Sequence, residues 1–330
     1  MRRPARPTRR GPGEESAGRI LIVLVSTLLL AALVNADAMV TRAEHKPLGA
    51  DRDRSLAIWH AVASIAHVTQ VSRIRDLADR AAGDDGPPKA VDDTTATTAP
   101  IEEAAVKPTL ATATPASKLG MLIVGDSVAR DFGESLVAAS DKTGLVAPSL
   151  DYRIATGFAR PDFFDWPSEL KRLVAGTPPD VVVALFGAND AQGLILPDGS
   201  AAQTLDDPRW GVEYAKRIGA AMDSLRAPNR LVVWVGQPLM RDEKLSAEME
   251  QLDAIYQAQA ATRPWVVYVD ARPVLADAAG HYADHLPDAA GNLVDVRQAD
   301  GIHLSRTGAD RLAATVMATL ATYTGNPALG

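Results

Sequence analysis

The sequence predicts a three-layer α/β domain, in which a five-stranded parallel sheet is covered by helices on both faces. Two observations lead to this fold class. First, runs of strand-forming residues alternate with helix-compatible segments from residue 119 onward. Second, most of these runs are continuously apolar, which is typical of parallel strands buried on both faces. The predicted strands are 121–125, 150–155, 181–187, 231–236 and 265–271, and the predicted helices include 166–174, 212–225, 245–262 and 308–323.

Composition excludes several classes of function. The formal net charge is −7, and beyond the amino terminus the basic residues are scattered, so no nucleic-acid partner is predicted. The chain has no cysteine, which excludes disulfides, thiolate catalysis and cysteine-ligated metals. Nearly half of the residues, 47%, are hydrophobic, which is enough to build a core.

The amino terminus has the pattern of an export signal. Residues 1–19 form a basic tail, and residues 20–34 carry no charge. At ~1.5 Å per residue a helix over residues 20–40 reaches about 31 Å, which favours an uncleaved transmembrane signal anchor. The ADA at 36–38 resembles a cleavage site, so cleavage stays open. We expect a single-pass cell-membrane protein whose carboxy-terminal domain lies outside the cytoplasm. The arginines of the tail are Arg2, Arg3, Arg6, Arg9 and Arg10.

Two segments connect this anchor to the domain at 119–330. Residues 41–82 are predicted to form a juxtamembrane amphipathic helix, because apolar residues recur in 51–82 at spacings of three and four. Such a helix would pack on the domain or on its own copy, giving an oligomer. Residues 83–118 are rich in Pro, Thr, Ala and acidic residues, which predicts a disordered stalk. The apolar positions are Ile58, Val62, Ile65, Val68, Val71, Ile74 and Leu77.

Polar residues follow several predicted strands at the point where each strand ends. The first strand ends in GDS, which contains Ser127, and the second is followed by Gly157. The third ends in GAND, which contains Asn189. The motif DGIH, with Asp300 and His303, precedes the last helix. Ligands of parallel sheets bind at the carboxyl ends of the strands, so these residues are the candidate site.

These residue types are the ones that acyl transfer requires. A serine hydroxyl becomes a nucleophile when an oriented base removes its proton, and Asp300 lies three residues before His303, close enough to orient that imidazole. Attack on an ester carbonyl builds an oxyanion. The predicted oxyanion donors are the backbone N–H groups of Ser127 and Gly157 and the side-chain amide of Asn189.

The four ordered blocks resemble those of the SGNH (GDSL-type) hydrolase superfamily. They are GDS, the glycine, GAND and DGIH, over residues 119–324. The resemblance implies a flavodoxin-like sheet, with Ser127, Gly157, Asn189 and His303 as the name-giving residues. No metal or cofactor is predicted.

The tail, anchor and stalk also resemble exported SGNH proteins that are classed as domains of unknown function. In related exported members the substrates are acetyl or other acyl esters of cell-envelope glycans. The resemblance therefore implies a serine esterase or acyltransferase, with either water or a sugar hydroxyl as acceptor. The alternative is a catalytically silent, membrane-tethered scaffold or glycan-binding module. That every catalytic position holds a competent residue favours the enzyme.

Other polar residues receive supporting or structural roles. Asp126 is interpreted as a helix N-cap and Asp190 as a brace for the turn that aims Asn189. His281 and His285 have the spacing of a zinc pair, but the glutamate of HExxH is missing and the surroundings predict a loop. Core packing is predicted for the aromatic residues after Gly157. The polar residues that follow strands three and four have two interpretations, as contacts to substrate or as structural residues of polar loops. These residues are Phe163, Phe164, Trp166, Gln192, Gln237 and Arg241.

Overall fold

The computed structural model describes residues 17–44, 46, 50–68 and 107–330. The chain divides into two compact units, Met1–Thr98 and Ala99–Gly330. The described part of the first unit contains the helices α1 (Ala17–Val34), α2 (Ala36–Glu44) and α3 (Ala50–Val68).

The first unit differs from the single helix predicted over residues 20–40. Helix α1 ends at Val34, and α2 begins after one turn residue, Asn35, whose side-chain amide donates to the carbonyl of Ala31 at 2.8 Å. In the described part of the chain we find no helix whose length and apolar character would let it cross a bilayer. The predicted membrane segment is therefore not supported.

Helix α3 occupies the first part of the segment predicted as an amphipathic helix. Its Ala63 and Ala66 are buried with Ala36 of α2, whereas Ile58 and Ile65 stay exposed. Residues 69–82 of that predicted helix, and the predicted stalk up to residue 106, lie outside the described residues.

The second unit is built on the predicted five-stranded parallel sheet. The strands of this sheet are β1 (Leu119–Gly125), β2 (Val146–Tyr152), β3 (Val181–Leu185), β6 (Leu231–Val235) and β7 (Val266–Val269). Two short hairpins contain β4 (Leu194–Ile195), β5 (Ala201–Ala202), β8 (His285–Pro287) and β9 (Leu293–Asp295). The strand order in the sheet is β2-β1-β3-β6-β7, and every neighbouring pair is parallel. The prediction of an α/β domain with this sheet is confirmed.

Helices cover both faces of the sheet and give the three predicted layers. The helices are α4 (Ser127–Thr143), α5 (Trp166–Gly176), α6 (Pro208–Ser224), α7 (Glu243–Ala261), α8 (Arg272–Leu275) and α9 (Arg306–Thr324). Phe132 of α4 and Leu312 of α9 belong to one buried cluster. Trp166 of α5, Tyr214 of α6 and Tyr256 of α7 belong to the other. Full burial of a large apolar side chain stabilises the fold by roughly 1.5–3 kcal/mol.

The second strand lies earlier in the chain than predicted. The sequence predicts it at 150–155, but β2 pairs with β1 from Val146 onward, opposite Leu119. It is an edge strand, so it carries Pro148 and several half-exposed positions instead of a continuous apolar run. Ile154, which looked like the end of the strand, is exposed in the following loop.

Residues 107–118 belong to the domain, although the sequence predicts a stalk there. The hydroxyl of Tyr323 donates to the carbonyl of Pro108 at 2.7 Å, and the ammonium group of Lys107 lies 4.2 Å from the centre of the Tyr323 ring. Ala113 is buried in the core. The ordered domain therefore includes at least these residues before β1.

Candidate active site

The site lies where the order of the strands reverses. From β1 the chain passes first to β2 on one side and then to β3 on the other, so the carboxyl ends of β1 and β3 border a crevice. Open α/β sheets bind ligands at such a switch point. The predicted site residues follow β1, β2 and β3 or precede α9, and the structure brings them to this edge.

Ser127 stands at the first position of α4 because the chain turns sharply after β1. A side chain on Gly125 would place its Cβ 2.0 Å from the carbonyl oxygen of Leu185, so β1 and β3 approach this closely only with glycine here. Asp126 is the N-cap, and its Oδ1 accepts from the backbone N–H of Val128 at 2.9 Å. The N-cap interpretation of Asp126 is confirmed.

Ser127, His303 and Asp300 form a continuous hydrogen-bonded chain. The Oγ of Ser127 lies 2.9 Å from Nε2 of His303, and Nδ1 of the same ring lies 2.7 Å from Oδ2 of Asp300. Oδ1 of Asp300 accepts from the backbone N–H groups of Ile302 and His303. Partial burial alone would raise the pKa of Asp300. The hydrogen bonds from the two backbone N–H groups and from the imidazole together have a larger, opposite effect and lower the pKa from 3.8 to about 2. Asp300 is thus a carboxylate at neutral pH, and it fixes the orientation of the imidazole.

Two arginines hold the loop that carries Asp300 and His303. Arg241 packs over Gly301, whose φ of +74° requires glycine, and donates to the carbonyl of Ala299 at 2.7 Å. Arg297 is buried and donates to the carbonyls of Leu239 and Ile302. Arg241 therefore supports the backbone of the loop that precedes His303.

The two glutamines also bond to backbone. Gln192 donates to the carbonyl of Asn189, and Gln237 donates to the carbonyl of Phe186. Both bonds steady the turn that follows β3, in agreement with the structural interpretation of these residues.

Asn189 is aimed at the loop after β2. Its side-chain amide donates to the carbonyl of Thr156 at 3.1 Å and lies 3.4 Å from Oδ2 of Asp126. Oδ2 of Asp126 also accepts from the N–H of Gly187. The structure therefore places Asn189 beside Gly157, and the buried carboxylate of Asp126 connects the ends of β1 and β3.

Asp190 holds a different loop from the one predicted. The sequence assigns it to the turn that aims Asn189, but its carboxylate accepts from the N–H groups of Phe158 at 3.0 Å and Ala159 at 2.7 Å. A Cβ on Gly157 would lie 2.1 Å from the same carboxylate, which explains the glycine in this block. The prediction and the structure differ because the Asp190 side chain extends from the end of β3 to the loop that follows β2. There Asp190 fixes the loop of Gly157.

Ionisation of Asp126 makes the free energy of unfolding depend on pH. Burial raises the pKa of Asp126 from an ordinary value of 3.8 to about 6, and the nearby charge of Asp190 also raises it. The hydrogen bonds from the N–H groups of Val128 and Gly187 lower the pKa by a smaller amount. The folded state therefore binds this proton more tightly than the unfolded state. We expect the contribution of Asp126 to the free energy of unfolding to be greatest below pH 3.8 and to fall by ~3 kcal/mol as pH rises through 6.

The measurement is urea unfolding of the wild type and of Asp126→Asn between about pH 4 and 7. Asparagine keeps the N-cap acceptor and cannot ionise. The difference between the two proteins isolates Asp126 from the other buried carboxylates. Parallel pH curves for the two proteins would contradict the assignment.

The remaining residues singled out in the sequence have structural positions. Trp166 is fully buried, with its ring centre 4.6 Å from that of Phe186, which confirms core packing for it; Phe163 and Phe164 are half-buried. His285 lies in β8 with its Nε2 2.8 Å from Asp295, whereas His281 is in the preceding loop beside Asp277. The two histidines therefore have different neighbours, Asp277 for His281 and Asp295 for His285.

Sequence reasoning missed the residues behind the Gly157 loop. Tyr214 donates to Asp190 at 2.7 Å, and its hydroxyl lies 2.9 Å from that of Tyr256. Arg217 donates to the carbonyls of Phe158 and Ala159. On α6 these residues look like ordinary members of an amphipathic helix, so the local sequence gives no signal of their contact with the site.

The fold and the site define an α/β protein with a Ser-His-Asp chain at the switch point of a parallel sheet. The model of the family described as "Protein of unknown function (DUF459)" matches residues 120–319, and the chain belongs to this family. This match confirms the part of the prediction that placed the chain among domains of unknown function.

Two solved structures are similar to part of this chain. The C-terminal catalytic domain of peptidoglycan O-acetyltransferase A (OatA) from Streptococcus pneumoniae is 16% identical, with 63% of this chain and 96% of that chain covered and a TM-score of 0.40. A carbohydrate esterase family 3 protein from Talaromyces cellulolyticus is 15% identical, with 63% and 99% covered and a TM-score of 0.44. No curated protein matches the chain significantly.

Proposed function

We propose that this chain is a serine esterase or acyltransferase that acts on acyl esters, in particular O-acetyl esters, of cell-envelope glycans. The observation that carries the proposal is the hydrogen-bonded chain from Ser127 through His303 to Asp300. Those distances are the ones that a nucleophile, its base and the group that orients the base require. The four blocks of the sequence that resemble SGNH hydrolases support the same chemistry.

The first half of the reaction forms an acyl-enzyme. Nε2 of His303 takes the proton from Oγ of Ser127 as that oxygen attacks the ester carbonyl carbon. The carbonyl oxygen becomes an oxyanion. When the intermediate collapses, the bond to the alcohol oxygen breaks and the imidazolium returns the proton to that oxygen. Asp300 stabilises the imidazolium and remains ionised, as its pKa of about 2 allows.

The second half transfers the acyl group to water or to a sugar hydroxyl. His303 takes a proton from the acceptor oxygen, which attacks the acyl carbon, and then returns the proton to Ser127. Water gives a carboxylic acid, and a sugar hydroxyl gives a new ester. The same residues serve both acceptors, so hydrolysis and transfer are two outcomes of one site.

Three donors stabilise the oxyanion in this proposal. The N–H of Ser127 is at the start of α4, where helix N–H groups have no partner within the helix. The N–H of Gly157 and the side-chain amide of Asn189 complete the set. The 3.4 Å contact of Asn189 with Asp126 is at the limit of a hydrogen bond, so an oxyanion can replace it. Each donor is worth roughly 10²- to 10³-fold in kcat.

The place of action is part of the proposal. We propose that the domain lies on the outer side of the cell membrane. The basic tail before an uncharged apolar run supports this orientation. We also propose that the segment 51–82 mediates oligomerisation, which the exposed Ile58 and Ile65 of α3 support.

The test is acetate release from O-acetylated envelope glycans by the purified full-length chain. We expect the wild type to release acetate, and Ser127→Ala to lower turnover by about 10⁴-fold or more. The matched control is Ser149→Ala, which removes a hydroxyl from β2 that donates only to the carbonyl of Met121 and should leave turnover unchanged. Wild-type turnover in Ser127→Ala would refute the proposal.

The O-acyl content of envelope glycans from strains with and without the gene separates hydrolysis from transfer. Loss of a hydrolase raises the O-acetyl content, whereas loss of a transferase lowers it. No change in either direction would contradict the glycan substrate.

A further inference from the structure

In the loop of Gly157, the two residues that follow the glycine have both their N–H and their carbonyl groups hydrogen-bonded to side chains. The carboxylate of Asp190 accepts from the N–H groups of Phe158 and Ala159 at 3.0 and 2.7 Å. The guanidinium of Arg217 donates to the carbonyls of the same two residues at 3.0 and 3.1 Å. Four hydrogen bonds thus fix the backbone directly after Gly157.

Both supports depend on helix α6. Tyr214 and Arg217 are three residues apart and therefore lie on one face of the helix. Tyr214 donates to Asp190 at 2.7 Å, and this bond partly offsets the rise that burial causes in the pKa of that carboxyl. Glu213 accepts from Arg217 at 2.9 Å and orients the guanidinium.

There is little room for the loop to adjust. A Cβ on Gly157 would meet the carboxylate of Asp190 at 2.1 Å, so the backbone lies against this side chain. Asp190 and Tyr214 are fully buried, and the Arg217 side chain is 16% exposed. A change in the position of Asp190 or Arg217 must therefore move the loop.

We propose that Tyr214 and Arg217 are positioning residues of the oxyanion hole, through which α6 sets the direction of the Gly157 N–H. Neither residue touches the reacting atoms. The inference rests on the proposed function for its effect on catalysis, but the effect on the loop is independent of it. Arg217 also donates to the carbonyl of Ile195, so the same guanidinium positions the hairpin of β4 and β5.

The kinetic test compares Arg217→Met and Tyr214→Phe with the wild type of the full-length chain. We expect kcat for p-nitrophenyl acetate to fall about 10-fold or more, with KM changed less than about twofold, because the loss is confined to the oxyanion. Arg217→Lys should recover part of the loss by keeping one carbonyl contact. Unchanged kcat in both variants of an active enzyme overturns the inference.

The matched control is Arg263→Met. Arg263 lies just after α7 and pairs with Asp223 of α6 at 2.8 Å. In the described structure it makes no contact with the Gly157 loop. This variant should keep wild-type kcat. An equal loss of kcat in the control would show that general damage to α6 causes the effect, and would overturn the inference.

Amide hydrogen exchange tests the loop without any catalysis. In Arg217→Met and Tyr214→Phe, we expect exchange of the N–H groups of Phe158 and Ala159 to accelerate about 10-fold or more while the strands of the sheet are unaffected. Unchanged exchange overturns the inference. If the wild type has no esterase activity but the loop still loosens, the ester chemistry is refuted and the support by α6 is upheld.

Discussion

Replacing His303 with alanine is expected to lower kcat for p-nitrophenyl acetate by about 10⁴-fold or more, because Ser127 then has no base. Ser127→Ala should cause a loss of the same size. The double variant should be no slower than either single variant, because the two residues act as one unit across their 2.9 Å contact. The measurement is steady-state hydrolysis by the three purified variants.

His285→Ala is the control for the first prediction. His285 also pairs with an aspartate, at 2.8 Å from Asp295, but it lies in the hairpin of β8 and β9. This variant should retain wild-type kcat. Losses that multiply in the double variant would show that Ser127 and His303 act separately, and would contradict the mechanism.

Gly157→Ala is expected to lower kcat by about 10²- to 10³-fold, which corresponds to the loss of one oxyanion donor. The new methyl group would begin 2.1 Å from Oδ1 of Asp190 and 2.5 Å from its Cγ, so the loop must move away. Overpacking of this kind also costs roughly 1–3 kcal/mol of stability. The measurements are kcat and the free energy of unfolding from urea titration.

Gly176→Ala is the matched control for the second prediction. Gly176 is the last residue of α5, and a Cβ added there meets no atom within 4 Å. This variant should keep both the activity and the stability of the wild type. If Gly157→Ala retained wild-type kcat, the Gly157 N–H would have no part in catalysis.

The buried strands could be predicted because each carries one continuous signal. The run 181–187 is apolar throughout, and β3 forms within it between β1 and β6. The edge strand β2 could not be placed as well, since one side of it has no neighbouring strand and its apolar pattern is interrupted at Pro148. Residues 107–118 resemble a stalk in composition, and the contact with Tyr323 that holds them depends on packing across 215 positions of sequence.

The members of the site could be predicted for a similar reason. Ser127, Asn189 and His303 stand at ends of elements, and a parallel sheet brings such ends together at one edge. The direction of a single side chain is not encoded in this way. Asp190 adjoins Asn189 in sequence but bonds to the loop after β2. Tyr214 lies on a helix face whose partner is set only by the packing of α6 against the sheet.

Mass spectrometry of an acid-quenched reaction determines whether Ser127 carries the acyl group during turnover. The full-length chain is mixed with p-nitrophenyl acetate, quenched during turnover and digested. We expect one acetyl group on the peptide that contains Ser127, and none in Ser127→Ala. Turnover by the wild type with no acetylated Ser127, or with acetyl on another residue, would contradict the proposed role of Ser127.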